Sequence, residues 1–455
     1  MKDSIGSSWL PVIGVAKSLS VLSIVATAIL FLGIYTAIDV VLPSGGTLPM
    51  ISAAPGVLLM FLQPRFFSKR LIQFITIPIG VVALFCLLSP SLSTMLINRL
   101  NSLAQIGYGL LISFSASWAL LRIGRERLWG VLSIVIPIYL CLLSFEVLSP
   151  AMQGIVRGYQ EVVYPTNQDV GMLINREMGM GGYRPKFFTS ETSFVAMSLF
   201  VIITGYIWSG RTLVRYLLAV GYTFAGFLIV RSPIIIFLIP VIFITAITDP
   251  IYRKYRTVIG VMVGIVLVCA TSIIMLTRGD IVNARLQNAT SGQDFSTTFR
   301  TYGSMAVAVE VLKKYPLFGV GPGGLDLAKK EIISTELRLG VPPEAVEKDW
   351  RISIANAPSY LAISFGLAGF IIGNFIIYRF VSSSVQSPIL PVITAILVWG
   401  MAYGAVYTPK FLVTLIVIVT LGQLRNGQIK RNCHAPYAQI KSRHSPRFNS
   451  RARTI

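Results

Sequence analysis

The stretch Trp129–Ser149 has the sequence WGVLSIVIPIYLCLLSFEVLS, in which Glu146 is the single charged residue. A helix that crosses the hydrocarbon core of a bilayer, about 30 Å thick, needs roughly 20 mainly apolar residues. Backbone N–H and C=O groups in lipid must be bonded within the protein, and a continuous apolar run meets that demand as a helix. The stretch therefore predicts a membrane-spanning helix.

Similar runs recur along nearly the whole chain. Of its 455 residues, 54% are hydrophobic and 13% are charged, which leaves too little polar surface for a soluble globule. We predict an all-α integral membrane protein with about twelve transmembrane helices. The predicted spans are 18–41, 48–64, 71–90, 102–121, 129–149, 191–209, 213–230, 232–248, 257–276, 356–378, 386–408 and 411–424. The first follows a long polar start and lacks a cleavage site after it, so we expect it to be retained.

The loops that contain Lys and Arg alternate along the chain, which predicts the orientation. Short loops rich in Lys and Arg stay on the cytoplasmic side, and both termini are therefore expected to be cytoplasmic. The segment 425–455 is basic, contains no acid, and is expected to be a disordered cytoplasmic tail. It explains much of the net charge of +21, so attraction to membrane lipid is favoured over nucleic-acid binding.

With this orientation, both long polar segments lie on the outer face. Residues 1–276 are expected to contain nine spans with a smaller periplasmic loop at about 150–190, and residues 356–424 the last three spans. Between them, 277–355 forms a large periplasmic loop with its own short helices. We predict an amphipathic helix from Tyr302 to Lys314 and a second helix from Leu325 to Leu339.

The glycine-rich stretch 319–324 separates these two predicted loop helices. It lacks the Lys-Ser/Thr of a nucleotide loop, and no strand precedes it. A plain turn is favoured, and a phosphate site at the following helix N-terminus is the alternative.

Metal and histidine chemistry are not expected on the outer face. The four cysteines have no metal-ligand spacing, and the two histidines, His434 and His444, both lie in the tail. We therefore predict no metal and no cofactor, and any acid or base on the outer face must be a carboxylate, Tyr or Lys.

Five cations are predicted near the outer boundary of the membrane, where they can bind the oxygens of a lipid diphosphate. The alternative for each is that it extends to lipid headgroups or pairs with a local acid. Arg231 differs, because its tight turn between two apolar runs requires a specific partner. The five are Arg184, Lys186, Arg231, Arg278 and Arg300.

Glu191, at the start of the sixth predicted span, is the candidate for activating a sugar hydroxyl by accepting its proton. An equally weighted alternative is a helix start with Ser190 as N-cap and an acid favoured by the helix dipole. Glu310 and Asp349 are lesser candidates that resemble ordinary surface acids.

The order of these features resembles the bacterial O-antigen ligase and O-antigen polymerase superfamily of membrane glycosyltransferases. Arg300–Ala306 followed by Tyr315–Gly323 is similar to the outer-loop signature of that family. Asn356, nine further residues and Gly366-Leu-Ala-Gly369 are similar to its His-Asn/Ser/Gln motif with a following Gly-x-x-Gly. Phe187–Phe194 is similar to a polymerase motif, with Glu191 at the acid.

One departure is that the position of the ligase histidine is Ala355, which favours a polymerase. The resemblance implies a metal-independent enzyme in the bacterial inner membrane. It would transfer glycan from undecaprenyl diphosphate to a sugar hydroxyl of a second lipid-linked unit at the periplasmic face. A ligase of the same fold is the alternative, and a flippase or transporter, which would line a central cavity with charge, is less favoured. A chain-length regulator and a flippase are the expected protein partners.

The resemblance also implies roles for individual residues. Arg231 and Arg300 would hold the diphosphate, with help from Arg184, Lys186 and Arg278. Glu191 would activate or position the acceptor. Asn356 and Tyr360 would bind sugar at the mouth of the tenth span.

Overall fold

The computed structural model describes residues 20–41, 47–63, 66–164, 183–249, 302–341, 354–385 and 388–426, with isolated positions in 254–272 and 343–351. All structural statements concern these residues. The ninth predicted span, 257–276, and the basic tail 425–455 lie mostly outside them, as do Arg278, Arg300 and Asp349.

The first half of the chain is a series of helices with one small hairpin. The strands β1 (Val40–Val41) and β2 (Thr47–Leu48) pair antiparallel, with Val40 opposite Leu48. A 3-10 turn, Ile51–Ala53, precedes α2. The helices are α1 (Val21–Thr36), α2 (Ala54–Phe61), α3 (Lys69–Leu88), α4 (Leu96–Ile123), α5 (Arg125–Leu148) and α6 (Pro150–Val163).

The second half is also helical where it is described. A 3-10 turn, Leu325–Ala328, precedes α12. The helices are α7 (Thr192–Ser209), α8 (Val214–Val230), α9 (Pro233–Ile236), α10 (Leu238–Thr248), α11 (Ser304–Lys314), α12 (Lys329–Arg338), α13 (Ala357–Ser384), α14 (Leu390–Ala402) and α15 (Pro409–Asn426).

Five of the described helices are long and apolar enough to cross a membrane: α3, α4, α5, α7 and α13. Shorter apolar helices stand at most of the other predicted spans, among them α1, α8 and α14. The all-α membrane class is therefore confirmed, and the number twelve stays a prediction.

Helices α4 and α7 form the centre of the bundle. In each, 72% of the apolar window is buried, against 22% in α3 and 28% in α5, so α3 and α5 lie at the outside of the bundle with most of their apolar surface exposed. Small residues let the central helices approach closely: a Cβ at Gly109 of α4 would meet Pro409 of α15. About two turns further along α4, the hydroxyl of Ser117 is 2.9 Å from the hydroxyl of Thr420 in α15.

Arg125 ties three helix ends together at one end of the bundle. It is buried and donates to the carbonyl oxygens of Ser209 (2.9 Å), Gly210 (2.7 Å) and Arg425 (3.1 Å). These carbonyls lie at the C-termini of α7 and α15, where the helix dipole is negative and a cation is stabilised. Basic residues that the sequence places on one face thus meet in the structure.

A buried ion pair completes this end, which we call the basic end (Arg125, Arg215, Arg425). Arg215 of α8 pairs with Asp249, which follows α10. The Tyr216 hydroxyl donates to Asp249 Oδ2 at 2.8 Å. A buried charge is tolerated when it is paired and hydrogen-bonded, so the ends of α8 and α10 are held together.

Two predicted spans are interrupted, which corrects their prediction as continuous helices. The tenth extends to Ser384 but breaks at Gly366, where φ is 65° and ψ is −171°. The eighth is divided at Phe237 into α9 and α10. Pro240 has no N–H for the carbonyl of Ile236, so the helix cannot continue regularly through this point.

The predicted polar loop at about 150–190 begins with a helix, α6, that was not predicted. Its start has a sequence signal: Ser149 caps it by accepting from the Met152 N–H at 3.3 Å, and Pro150 fills the first position. The predicted helix 302–314 is found as α11, with Val307 and Val311 buried and Met305 exposed.

Candidate active site

The glycine-rich turn and the break in α13 bind each other. Four backbone hydrogen bonds of 2.9–3.1 Å join the segment Pro316–Gly321 to the segment Ile363–Ala368. In a regular helix, the carbonyl and N–H groups of residues 363–368 would bond to each other. The break at Gly366 leaves them free to bond to the glycine-rich turn. The loop is thereby attached to the membrane helix by its backbone.

Two glycines make this contact possible. Gly319 has φ 63°, and a Cβ there would meet the backbone oxygen of Ile363. Gly366 has φ 65°, and a Cβ there would meet the backbone oxygen of Leu317. Both positions require a left-handed backbone and close approach, which only glycine combines at low cost. The stretch is therefore a docking element rather than the plain turn that we expected.

A second contact attaches the large loop to the start of α13, at the first residue of α11. The Ala355 N–H donates to the buried Ser304 hydroxyl at 3.0 Å. The next residue, Asn356, is fully buried and begins α13 as its N-cap, because its Oδ1 accepts from the Ser359 N–H at 2.9 Å. Two of the three stretches that resemble the family thus meet at the start of α13.

Two of the predicted phosphate-binding arginines lie at one turn. Arg231 ends α8 in the left-handed conformation, with φ 54°, and its N–H donates to Phe227 at 2.8 Å. The Arg184 guanidinium donates to the carbonyl oxygen of Val230 at 3.3 Å. The structure therefore brings Arg184 against the turn that carries Arg231. Both side chains are partly buried and make further polar contacts.

Glu146 holds the segment that carries Arg184. Its carboxylate is fully buried and accepts from the Tyr183 hydroxyl (2.6 Å), the Lys186 N–H (2.9 Å) and the Phe187 N–H (2.8 Å). Hydrogen bonds to a carboxylate are stronger than neutral ones, so this loop is fixed at the end of α5. Lys186 is itself buried beside it.

Glu191 occupies the N-cap position of α7, with φ −146° and ψ 151°. The expectation that Ser190 caps this helix is wrong. The Glu191 side chain is exposed, and its Oε2 accepts from the Ser193 hydroxyl at 2.8 Å. The positive end of the α7 dipole favours an anion at this point, so a carboxylate is presented outward at the start of a central helix.

Lys410 lies beside the first turn of α7. Its Nζ is 4.1 Å from the ring centroid of Phe194, three residues after Glu191, and 3.6 Å from Asp39 Oδ2. Asp39 is held in turn by the Met50 N–H, 3.0 Å from Oδ1. Lys410 is not among the residues that we predicted from the sequence, although a lysine at the start of an apolar run is a candidate for function.

Tyrosines connect this pair to the start of α13. The Tyr360 and Tyr407 hydroxyls are 2.5 Å apart. A Cβ at Gly404 would meet the backbone of Ile354, Ala355 and Asn356. The segment 403–408, which precedes Lys410, therefore lies against the start of α13, and no signal in the sequence indicated this role.

We call this end of the bundle the site end (Asp39, Glu191, Arg184, Arg231, Lys410). It is opposite the basic end, because Arg125 begins α5 and Glu146 lies close to its last residue. It combines cations that can bind phosphate, carboxylates that can accept a proton, and hydroxyls that can bond sugar. Arg278 and Arg300 lie outside the described residues, so their position relative to this site stays a prediction.

Glu310, a lesser candidate base, lies in an ion-pair network on the large loop. Lys313 Nζ is 2.9 Å and Arg338 3.3 Å from its Oε1. The hydrogen bonds from Lys313 and Arg338 lower the pKa of Glu310 below its ordinary value, which makes it a poorer base. Among the described residues, no group of three or more His, Cys, Asp and Glu side chains is placed to hold a metal ion.

Residues 227–373 match the family model described as O-Antigen ligase. This match covers about a third of the chain and supports the resemblance to the O-antigen ligase and polymerase superfamily. Members are glycosyltransferase-like enzymes, and a ligase- or polymerase-type activity fits the chain. Neither the comparison with curated proteins nor that with solved structures returned a match.

The matched segment contains only part of the candidate site. It includes Arg231, Ser304, the glycine-rich turn and the break at Gly366, and thus both attachments of the loop to α13. It begins after Glu191 and ends before Lys410. The roles of these two residues therefore rest on the contacts described above.

Proposed function

We propose that the protein is a polymerase of a surface polysaccharide, either an O-antigen or an exopolysaccharide. It transfers glycan from undecaprenyl diphosphate to a sugar hydroxyl of a second lipid-linked unit, at the periplasmic face of the bacterial inner membrane. The observation that carries the proposal is that family motifs, cations and a presented carboxylate lie at the same end of a membrane bundle.

The site end is proposed to be periplasmic. The opposite end holds Arg125, Arg215 and Arg425, and basic residues are retained on the cytoplasmic side during insertion. A lipid-linked donor places its diphosphate at the boundary between lipid and water, which is the level at which helix ends lie.

In the proposed reaction, the bond from the anomeric carbon to the diphosphate oxygen breaks, and undecaprenyl diphosphate leaves with its electron pair. Negative charge grows on the leaving oxygens. Cations that are fixed before the reaction stabilise this charge without reorganisation. Arg184 and Arg231 are assigned to the diphosphate, with Lys410 at the same end of the bundle and with Arg278 and Arg300 expected from the adjoining segment.

The acceptor hydroxyl oxygen attacks the same carbon, and its proton goes to the Glu191 carboxylate. Diphosphate is already a good leaving group, so positioning and charge stabilisation suffice and no metal is needed in this proposal. Asn356 and Tyr360 are both buried at the start of α13, so in this proposal they shape the mouth of the tenth span where sugar binds, with the hydroxyl of Tyr407 adjacent to that of Tyr360.

A polymerase is favoured over a ligase by Ala355. This residue offers a methyl group where the resemblance places the ligase histidine, and its N–H is bonded to Ser304. The second candidate is the ligase, because the matched family model is described as O-Antigen ligase.

A deletion strain distinguishes these candidates. For a polymerase, the surface glycan that remains consists of single repeat units, while lipid-linked single units accumulate on the outer face. Accumulation of complete, unattached polymer would instead indicate a ligase. Lipid-linked units confined to the inner face would indicate a flippase and contradict glycan transfer.

A further inference from the structure

Helix α6 follows α5 after a single residue, Ser149, and has a strongly amphipathic sequence. Four of its residues recur at helical spacing on one face and are exposed, namely Ala151, Ile155, Gly158 and Val162. Ile155 is 60% and Val162 is 79% exposed. Large apolar side chains at this exposure, aligned on one stripe, form a surface that water does not favour.

The neighbouring stripe of α6 contacts the rest of the protein. Val156 is fully buried, and the Tyr159 ring lies edge-on to Phe188 at a centroid distance of 5.1 Å. The apolar arc of this helix is thus about twice as wide as the part that the protein covers. The exposed half is not needed for packing within the chain.

The polar arc lies on the remaining side. It consists of Gln153, Arg157, Gln160 and Glu161. The Gln160 amide donates to the carbonyl oxygen of Thr189 at 2.7 Å and of Ser190 at 3.5 Å. Since Glu191 follows directly, α6 is bonded to the residues that position this carboxylate.

The exposed apolar stripe continues a surface that already faces lipid. Phe145 is 56% and Leu148 is 79% exposed at the last turn of α5, a helix that is long and apolar enough to span the membrane. Ile155 and Val162 follow this surface directly along the chain, after the single residue Ser149 that separates the two helices. The same bilayer therefore covers both, which argues for lipid rather than a protein as the occupant.

We propose that α6 lies in the outer-leaflet interface of the membrane, with Ile155 and Val162 among the lipid chains and Glu161 towards water. Through Gln160 and Tyr159, it fixes the depth of the segment 187–191 relative to the lipid phosphates. The interfacial position of α6 depends on α5 spanning the bilayer and is independent of glycan transfer. The proposal for α6 and the proposed function can therefore fail separately.

The test places the photoreactive residue benzoylphenylalanine at single positions of the full chain. The protein is reconstituted in vesicles of phosphatidylethanolamine and phosphatidylglycerol, irradiated and analysed by mass spectrometry, and the same variants are irradiated in whole cells. Position 148 is the positive control for lipid, and position 161, on the polar arc, is the matched control within α6.

We expect the yield of phospholipid adducts at positions 155 and 162 to be comparable to the yield at position 148. At position 161, most of this yield should be lost. The proposal is overturned if 155 and 162 give no lipid adduct while 148 does, or if 161 gives as much as they do. Crosslinks from 155 or 162 to a second copy or to another protein in cells would also overturn it, because the stripe would then be a protein interface.

Discussion

The backbone N–H of Ala355 donates a 3.0 Å hydrogen bond to the hydroxyl of Ser304. Ser304 begins α11 on the large loop, and Ala355 lies two residues before α13. The bond therefore fixes the loop at the position where the resemblance places the ligase histidine. It joins the loop stretch 300–323 to the stretch that begins α13, since each supplies one partner.

Ser304→Ala should destabilise the protein. It leaves the partly buried Ala355 N–H without this acceptor, and an unsatisfied donor costs about 1–3 kcal/mol when it is shielded from water. Thermal unfolding in detergent measures the effect. The control is Ser334→Ala, whose exposed hydroxyl donates to Glu331 within α12 and whose loss should change stability by less than about 0.5 kcal/mol. Equal melting temperatures for the two variants would contradict the assigned contact.

Gly319→Ala and Gly366→Ala should each detach the glycine-rich turn from α13. Each added Cβ meets a backbone oxygen in a left-handed conformation, so we expect a loss of about 2–4 kcal/mol, from strain and overpacking together. Gly340→Ala separates the two causes, because Gly340 has φ 83° and open space around its Cβ. If Gly340→Ala is as harmful as the other two, backbone conformation alone explains the effect and the docking contact is not required.

Arg231→Ala should reduce polymer formation by about 10- to 100-fold, the loss expected for one charge-assisted hydrogen bond of roughly 1.5–3 kcal/mol. Arg231→Lys should restore part of it, because the charge remains and the planar fork is lost. Chain-length profiles on gels, corrected for protein level in the membrane, provide the measurement. Arg211→Ala, at the basic end where Arg211 pairs with exposed Glu126, is the control and should have wild-type activity.

The contact between α11 and α12 should loosen in acid. The hydrogen bonds from Lys313 and Arg338 lower the folded-state pKa of Glu310 from its ordinary value of 4.5. The stabilisation is therefore complete above pH 4.5 and is lost as the pH falls through the lowered value. Hydrogen exchange of residues 304–338 should increase in that range. Glu310→Gln should show the increase already at pH 7, whereas Glu347→Gln, at an exposed carboxylate, should not.

Local features of the fold could be predicted from the sequence. Apolar runs between charged residues located most helices, because burial of a whole helix surface in lipid leaves a continuous signal. The turn at Arg231 is also local, since α8 ends at Val230 and Pro233 begins α9. Helix α6 has start signals in the sequence, namely Ser149 as N-cap and Pro150 at the first position. We nevertheless interpreted the segment as a loop, because it contains several polar residues.

The connections within the candidate site could not be predicted in the same way. Ser304 meets Ala355, and Lys410 meets Asp39, across long stretches of chain, and the pattern of one sequence contains no record of such pairs. A glycine such as Gly366 in an apolar run indicates close packing between helices. Only the structure shows that Gly366 adopts a left-handed backbone conformation and interrupts α13. Glu191 was identified from its residue type and family motif, whereas its exposed position at the N-cap comes from the structure.

The central claim is that this protein joins lipid-linked glycans, with Glu191 accepting the proton of the acceptor hydroxyl. The most direct measurement is the reaction of the purified protein in vesicles with an undecaprenyl-diphosphate-linked repeat unit as the only glycan. We predict a ladder of lengthening chains with release of undecaprenyl diphosphate, reduced at least about 100-fold by Glu191→Gln, as for loss of a general base, and unchanged by Glu126→Gln at the basic end. No extension by the wild-type protein, transfer only after a lipid A core acceptor is added, or full activity of Glu191→Gln would contradict it.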